Sequence, residues 1–403
     1  MYKKKTVYIS PQKGPTLQEQ IESSISAMEE IFAHYNIEKG DVLKQTIFID
    51  ACNNDEFYRK RSELSAALKD YYGELLPPTG FVGQSPEKAQ AAMELVLLTD
   101  ANRRSEITIA RKDMEDVRYL TLQAPGLKEV FASGLTAGAQ GVSSTEESNA
   151  LSQAREAFER MKKILDRENL EFSDVVRQWN YIEDITGTSV LETGEKQNYQ
   201  IFNDVRSLYY ADSGFKNGYP AATGIGMNVG GTVLEFIAVD ASESAGLTIF
   251  PVENPAQVDA HRYSQDVLVG ESLRELKQKT TPKFERAKLL VNKRGSLVYI
   301  SGTASIRGQA TMAGTDVEEQ TRITIENIAK LVSPENLVKH GAPREYEASP
   351  LSYCRVYIKN RADVPKVKKI CDQYYKGVPT LYLVSDICRP ALLVEIEGAI
   401  ESV

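Results

Sequence analysis

Residues 17–50 read LQEQIESSISAMEEIFAHYNIEKGDVLKQTIFID, and two hydrophobic periods meet within them. From 17 to 32 the apolar residues recur every three or four positions, which predicts an amphipathic helix. From 45 to 50 the chain is rich in β-branched and aromatic residues, which predicts a strand. A second helical pattern over 55–72 and an apolar strand over 94–98 follow. The whole stretch predicts a sheet with two helices on one face.

The same order of elements occurs twice more along the chain. In the second copy we expect helices over 150–165 and 198–210 and strands over 177–182 and 232–239. In the third copy we expect strands over 297–302, 352–358 and 392–397 and helices over 317–331 and 364–375. Each copy reads β-β-α-β-α-β, so the sequence predicts three related domains rather than one large core.

The repeats predict the domain boundaries. We expect the first domain over residues 1–105 and the second over 106–245. The third domain is expected over 284–403. Residues 246–283 lack a clean helical or strand period and contain several prolines, so we interpret them as a connecting segment. Long connections of this kind in compact proteins are often functional.

Composition excludes several classes of function. The formal net charge is −8, with acidic and basic residues interspersed, which argues against a nucleic-acid-binding protein. No apolar run approaches the ~20 residues that a membrane-spanning helix needs. The four cysteines form no C-x-x-C pair, and a chain of this size needs no disulfides. We therefore expect a cytoplasmic protein with free thiols and no membrane partner.

Three segments resemble the Rid/YjgF family: 300–302 (ISG), 316–328 (DVEEQTRITIENI) and 394–398 (VEIEG). That resemblance implies an α/β (α+β) fold of three tandem Rid/YjgF-like, chorismate-mutase-like domains, each a mixed sheet covered by two helices on one face. Members of the family are usually trimers with sites in the clefts between subunits. Three copies in one chain imply an intrachain pseudo-trimer that is monomeric in solution.

The best-known activity of that family, hydrolysis of reactive imines, relies on an Arg just after a late proline. Here Pro77, Pro220 and Pro379 are followed by Pro78, Ala221 and Thr380, respectively, and no copy carries the Arg. The cation that would bind a substrate carboxylate through two hydrogen bonds is missing. We therefore do not expect imine hydrolysis.

The second and third copies resemble the chorismatases more closely. The resemblance lies in ordered blocks at 179–182 (WNYI), 198–206 (NYQIFNDVR), 219–226 (YPAATGIG), 252–257 (VENPAQ), 261–263 (HRY), 282–287 (PKFERA), 301–306 (SGTASI) and 381–398 (LYLVSDICRPALLVEIEG). It implies an enzyme that hydrolyses the enolpyruvyl ether of chorismate. The products would be pyruvate and either a dihydroxylated cyclohexadiene acid or a hydroxybenzoate. The resemblance also implies a site between copies 2 and 3, a small carboxylate substrate and no cofactor.

Glu395 is the candidate general acid. In the strand over 392–397, alternation places Glu395 and Glu397 on one face, where two carboxylates raise each other's proton affinity. Cleaving an enol ether requires protonation of its methylene carbon, and a buried carboxylic acid suits that step. From the strand alone, a pair of glutamates on a hydrated sheet face is the favoured interpretation. The resemblance to chorismatases implies the catalytic role.

Cys388 precedes Glu395 by seven positions, and the resemblance places it at the substrate ring as a residue that shapes the pocket rather than as a nucleophile. Ala304 belongs to another pocket segment. Arg206 shares a helical face with Tyr199; it is either a cation at the helix end or the residue that binds a substrate carboxylate. Arg355 lies in an otherwise apolar strand and faces either solvent or the cleft.

The remaining candidates are Tyr219 and Gly224, which we expect near the substrate because they lie in the block at 219–226. We predict no metal site, since His34, His261 and His340 are scattered without further ligands at suitable spacing. The alternative function is a non-catalytic Rid/YjgF-like ligand-binding or regulatory protein, of the kind often labelled endoribonuclease L-PSP or translation inhibitor. The acidic charge balance disfavours a ribonuclease.

Overall fold

The computed structural model describes residues 2–11, 14–137, 149–191, 194–241, 246–268, 272–347 and 349–402. Within these ranges the chain forms three large sheets, each with two long helices packed on one face. No helix in them is long and apolar enough to cross a membrane.

The first sheet has four strands in the order β1-β5-β2-β3. The elements of this part of the chain are β1 (Lys4–Ile9), α1 (Leu17–Tyr35), β2 (Val42–Ile49), α2 (Asn54–Tyr72), β3 (Thr79–Val82), β4 (Ser85–Pro86) and β5 (Ala91–Leu98). Helix α1 begins at a capping box in which Thr16 and Glu19 satisfy each other's backbone N–H groups. The short strand β4 leaves this sheet and pairs with the third one.

The second sheet has six strands in the order β12-β9-β13-β8-β7-β6. The elements are β6 (Thr108–Met114), β7 (Val117–Ala124), β8 (Leu127–Thr136), α3 (Asn149–Arg167), β9 (Val175–Glu183), β10 (Thr188–Leu191), β11 (Gly194–Gln197), α4 (Asn198–Tyr210), β12 (Ala221–Met227) and β13 (Thr232–Ala241). Strands β10 and β11 form a separate hairpin before α4.

The third sheet has seven strands, in the order β14-β15-β16-β21-β19-β20-β4. Its part of the chain comprises β14 (Thr248–Val252), β15 (Ala287–Asn292), β16 (Gly295–Ala304), β17 (Ile306–Arg307), β18 (Ala310–Thr311), α5 (Val317–Leu331), α6 (Pro334–Lys339), β19 (Tyr353–Ile358), α7 (Val364–Tyr374), β20 (Thr380–Val384) and β21 (Val394–Ser402). The segment expected only to connect domains thus contributes the edge strand β14.

All three sheets share one topology. In each, the closing strand (β5, β13 or β21) lies antiparallel between the strand before the first helix and the strand after it. The strand after the second helix then adds in parallel, as β3, β12 and β20 do. This repetition confirms the predicted fold of three tandem mixed sheets. The sequence-based prediction treated Pro77 as the equivalent of Pro379, but the structure makes Pro78 the equivalent residue. The carbonyl of Pro78 accepts a hydrogen bond from the Gln45 amide, just as the carbonyl of Pro379 accepts one from the Cys354 amide.

The packing of the sheets produces a pseudo-trimer. Each sheet buries one face under its own helices, in three separate apolar clusters. The opposite faces meet in a fourth cluster that contains residues of all three sheets, among them Phe48, Trp179 and Tyr357. Strand alternation explains this arrangement, since successive side chains of a central strand face a helix layer and the common centre in turn.

A ring of buried ion pairs crosses the centre. Each closing strand contributes one glutamate, and each glutamate binds a cation from the strand that follows the first long helix of a different repeat. The pairs are Lys44 with Glu235 (2.5 Å), Arg177 with Glu397 (2.5 Å) and Arg355 with Glu94 (2.7 Å from Nε). The ring fixes the order of the three repeats around the axis.

Candidate active site

A cavity of about 780 Å³, its open mouth included, lies between the second and third sheets. Helix α4 and strand β12 form one wall, and strands β16 and β21 form the other. The segment before β15 and the loop after β20 close its ends. The lining includes Gln197, Tyr199, Gln200, Asn203, Ala222, Gly224, Tyr263, Phe284, Arg286, Gly302, Ala304, Ile306, Cys388, Arg389, Leu392 and Glu395.

Glu395 lies at the base of this cavity on the central strand β21, opposite Ala304 of β16 and Tyr357 of β19. Glu395 is 4% exposed, and burial and neighbouring charges, without a hydrogen bond from the described residues, set the state of its carboxyl. Burial, together with the negative charge of Glu397, raises the pKa of Glu395 to about 8. Glu395 is therefore a carboxylic acid that keeps its proton near neutral pH.

Glycine at position 302 makes room for this acid. A Cβ at Gly302 would lie 2.0 Å from the Oε1 atom of Glu395. The amide N–H of Gly302 donates to Thr223 Oγ1 at 3.1 Å, and Thr223 in turn donates to Glu397. Gly302 thus allows β16 to approach the carboxyl group of Glu395 closely. Through Thr223, the backbone of Gly302 is also linked to Glu397 in the ring of ion pairs.

Glu397 lies two residues further along the same face, in a different environment. Its carboxylate accepts hydrogen bonds from Arg177 (2.5 Å), Trp179 (3.0 Å), Tyr357 (3.1 Å) and Thr223. Although burial alone raises the pKa of a carboxyl, the charges of Arg177 and Arg355 outweigh it and hold the pKa of Glu397 below its usual value. Glu397 is therefore ionised, and its oxygens are occupied by hydrogen bonds from protein side chains, so it is not free to act on a substrate.

Cys388 and Ala304, both predicted at the site, line the cavity beside Glu395. Burial and the nearby carboxyl of Glu395 raise the pKa of the Cys388 thiol to about 12. Because a thiol must ionise to attack, this shift disfavours Cys388 as a nucleophile, and its role in shaping the pocket stays a prediction. Its side chain contacts the apolar clusters of the centre and of the second domain.

Tyr199 and Gly224 also line the cavity and contact each other. A Cβ at Gly224 would lie 2.9 Å from the Tyr199 ring, so the glycine allows the ring to approach β12. Arg206 is buried two turns beyond Tyr199 on α4, where its Nη2 donates to Asn203 Oδ1 at 2.5 Å. Its Nε has no partner in the described part of the chain. Arg206 is not among the lining residues and lies behind Asn203.

The structure places two predicted residues away from the cavity. Tyr219 stacks on Tyr210, with ring centroids 6.1 Å apart. Arg355 lies in the central ring, where it binds Glu94 through Nε and Nη2 and donates to Tyr181 at 2.6 Å. We expected Arg355 to face either solvent or the cleft. It faces neither, because it binds Glu94 of the first repeat. Tyr219 and Arg355 are therefore left out of the candidate site.

Two further lining residues are cations: Arg286, which was not predicted to bind substrate, and Arg389, for which the sequence left open either a place in the cleft or a charge on a loop. Arg286 is buried; it donates to Tyr263 Oη at 2.7 Å and to the carbonyl of Val258, while its Nε has no partner in the described ranges. Arg389 donates to the Gln309 carbonyl at 2.9 Å, and its guanidinium carbon lies 5.1 Å from the Tyr263 ring centroid. Both lie in blocks of the family resemblance, which was the only signal for them, since neither belongs to a regular strand or helix.

No group of three or more His, Cys, Asp or Glu side chains in the described ranges is arranged to hold a metal ion. The cavity instead combines one uncharged acid, two guanidinium groups and an apolar floor. Such a combination can donate a proton to an anionic organic molecule that fits between the two sheets.

The sequence is similar to those of known proteins. The family model for "Chorismatase FkbO/Hyg5-like, N-terminal" matches residues 132–238. A 3-hydroxybenzoate synthase of Streptomyces hygroscopicus is 32% identical over 256 residues, which cover 61% of this chain and 68% of that protein. A chorismatase of Streptomyces rapamycinicus is 31% identical over 239 residues, covering 57% of this chain and 65% of that protein.

A solved structure matches nearly the whole fold. The crystal structure of a chorismatase superposes with a TM-score of 0.67 and 19% identity, covering 99% of this chain and 98% of that one. Fold, cleft and relatives together define an enzyme. The chain belongs to the chorismatase family.

Proposed function

We propose that this protein hydrolyses the enolpyruvyl ether of chorismate and releases pyruvate, with Glu395 as the general acid. The observation that carries the proposal is the environment of Glu395. Its carboxyl is buried, lines the cavity, receives no hydrogen bond from the described residues, and has a pKa raised to about 8. The activity named for the relatives needs an acid of this kind.

The first step is transfer of the Glu395 proton to the methylene carbon of the enol ether. The π electrons of the double bond form the new C–H bond, and the adjacent carbon becomes an oxocarbenium ion while Glu395 becomes a carboxylate. Water adds to that carbon and returns a proton to Glu395. The resulting hemiketal collapses to pyruvate and a ring alcohol. In the alternative outcome the ring also loses the elements of water and becomes a hydroxybenzoate.

Arg286 and Arg389 are proposed to bind the two carboxylates of chorismate. Both guanidinium groups line the cavity, and both lie near the ring of Tyr263, at 5.7 and 5.1 Å from its centroid. A partly buried guanidinium binds a carboxylate more strongly than one in water, because the local dielectric is lower. Arg206 is proposed to support this site from behind by orienting Asn203.

Cys388, Ala304, Tyr199 and Gly224 are proposed to fix the orientation of the ring. Their side chains or backbones line the cavity around Glu395, and small changes among them would alter which ring hydrogen faces a proton acceptor. This set would decide between the dihydroxylated acid and the hydroxybenzoate. We also infer a monomer, since the three repeats already complete the pseudo-trimer, and a cytoplasmic location, since the four cysteines form no C-x-x-C pair.

The test is incubation of the purified protein with chorismate, with pyruvate measured by a coupled lactate dehydrogenase assay and ring products separated by chromatography. We expect one of the two ring products to form, in an amount equal to that of pyruvate. Absence of pyruvate above the non-enzymatic rate would overturn the proposal. It would favour the alternative of a ligand-binding protein, which direct binding of chorismate would then reveal.

A further inference from the structure

A second cleft occupies the equivalent position between the first and second repeats. In β8 and β13 the register shifts by one residue at the same place as in β16 and β21, which aligns the two pairs of strands residue by residue. By this alignment Val233, which faces Thr136, stands where Glu395 faces Ala304. Gly134 stands where Gly302 stands.

This second cleft has an empty volume of about 960 Å³, its open mouth included. One wall consists of helix α2 and strand β3 of the first repeat, and the other of strands β7, β8 and β13 of the second. The lining includes Phe57, Arg61, Ser65, Lys69, Leu76, Pro77, Thr79, Phe81, Asp116, Arg118, Ser133, Gly134, Gly230 and Val233. It therefore combines two aromatic rings with several cations.

Arg61 is the central feature of this cleft. It projects from α2 and is only partly exposed, and its guanidinium carbon lies 5.6 Å from the centroid of the Phe81 ring. In the described part of the chain the guanidinium makes neither a hydrogen bond nor an ion pair. Burial lowers the pKa of Arg61, and the nearby charge of Asp116 offsets this shift only in part, which reflects the cost of desolvating a cation that has no direct ion pair. An anion that entered the cleft would remove that cost.

The other charges leave the cleft positive around Arg61. Asp116 is bound by Arg160 of helix α3, and Arg118 is paired with Asp113 at 2.8 Å. Lys69 is exposed at the rim. Asp116 lines the cleft and its charge favours the charged form of Arg61, but it is 64% exposed and bound by Arg160, and the lining cations outnumber it.

We infer that the cleft between repeats 1 and 2 binds a small carboxylate that carries a planar apolar ring. We further infer that the cleft does not catalyse a reaction of this ligand. The planar guanidinium of Arg61 matches a carboxylate, while Phe57 and Phe81 offer apolar surface for a ring. Val233 replaces the acid of the active site, so the chemistry proposed for Glu395 has no equivalent here. The inference does not depend on the proposed function.

The test uses benzoate as the probe and assigned backbone amide resonances as the readout. Gly134 and Gly230 report on this cleft, whereas Gly224 and Gly302 report on the cavity at Glu395. We expect saturable shifts at Gly134 and Gly230, with a dissociation constant of ~1 mM or below. Benzamide, which has the same shape without the charge, should bind at least about tenfold more weakly there.

Arg61→Ala should weaken benzoate binding at Gly134 and Gly230 by about tenfold or more and leave the shifts at Gly224 and Gly302 unchanged. Arg61→Lys, which keeps the charge, should retain part of the affinity even if the alanine variant folds poorly. The control is Arg59→Ala on the same helix, because Arg59 is exposed and paired with Glu63. No saturable shift at Gly134 and Gly230, or equal binding by the wild type and both Arg61 variants, would overturn the inference.

Discussion

Glu395 and Glu397 lie two residues apart on one face of β21, and their pKa values are shifted in opposite directions. Glu397 accepts hydrogen bonds from groups of the second and third repeats, whereas Glu395 lines the cavity and receives no hydrogen bond from the described residues. Two carboxyls whose surroundings separate their pKa values divide the work of an acid site, one as proton donor and one as fixed charge.

Activity should fall as the pH rises through the pKa of Glu395. That value is about 8, and only the protonated form can donate. We expect kcat/KM for chorismate to decrease by about tenfold per pH unit above about pH 8. The measurement is a pH profile of pyruvate release, with circular dichroism at each pH to monitor folding. Constant activity well above that pH would contradict the assignment.

The free energy of unfolding should also depend on pH through the ionisation of Glu395. The pKa of Glu395 is about 8 in the folded chain against an ordinary value of 4.5, so the unfolded chain binds fewer protons between these values. The free energy of unfolding should therefore decrease as pH rises from about 4.5 to about 8, by on the order of a few kcal/mol. Urea unfolding of wild type and Glu395→Gln tests this, since the variant should lose that part of the slope. Parallel curves would show that Glu395 is not buried as described.

Gly302→Ala should reduce activity by about tenfold or more while the protein still folds. The new Cβ would lie 2.0 Å from Glu395 Oε1, so the carboxyl must move. The matched control is Gly214→Ala, where nothing lies within 4 Å of the added Cβ. Steady-state kinetics and thermal melts of both variants check the expectation. Equal activity in the two variants would mean that the position of Glu395 over Gly302 is unimportant.

Arg286→Ala should raise KM for chorismate by about ten- to a hundredfold, because a buried guanidinium that binds a substrate carboxylate is lost. Arg307→Ala serves as the control, since Arg307 is 57% exposed and pairs with Glu326 outside the cavity. Initial rates over a range of chorismate concentrations separate KM from kcat. An unchanged KM in Arg286→Ala would remove this residue from the substrate site.

Local patterns in the sequence predicted much of this structure. The helical and strand periods of residues 17–50 and of the two later copies determined which faces are buried, because each copy folds by the same short-range rules. The position of Glu395 followed from strand alternation, and its role from the resemblance to chorismatases. These features depend on neighbours that are close in the chain.

Arg355 shows where such prediction ends. Alternation placed it correctly on the face opposite the helices, but its partner Glu94 is 261 residues away in another repeat. The engaged state of Glu397 depends likewise on Arg177 and Trp179 of the second repeat. Arg286 and Arg389 lie outside regular elements, so no period gives their direction. Contacts between repeats, rather than within them, determine which charges are free.

The most direct test of the central claim is the rate of pyruvate release by Glu395→Gln compared with Glu401→Gln. Both residues lie on β21, and burial raises the pKa of Glu401 to about 7, but Glu401 lies outside the active-site cavity. We predict that Glu395→Gln lowers kcat by about 10²- to 10⁴-fold while Glu401→Gln stays near wild type. Near-wild-type turnover by a folded Glu395→Gln protein would contradict the account.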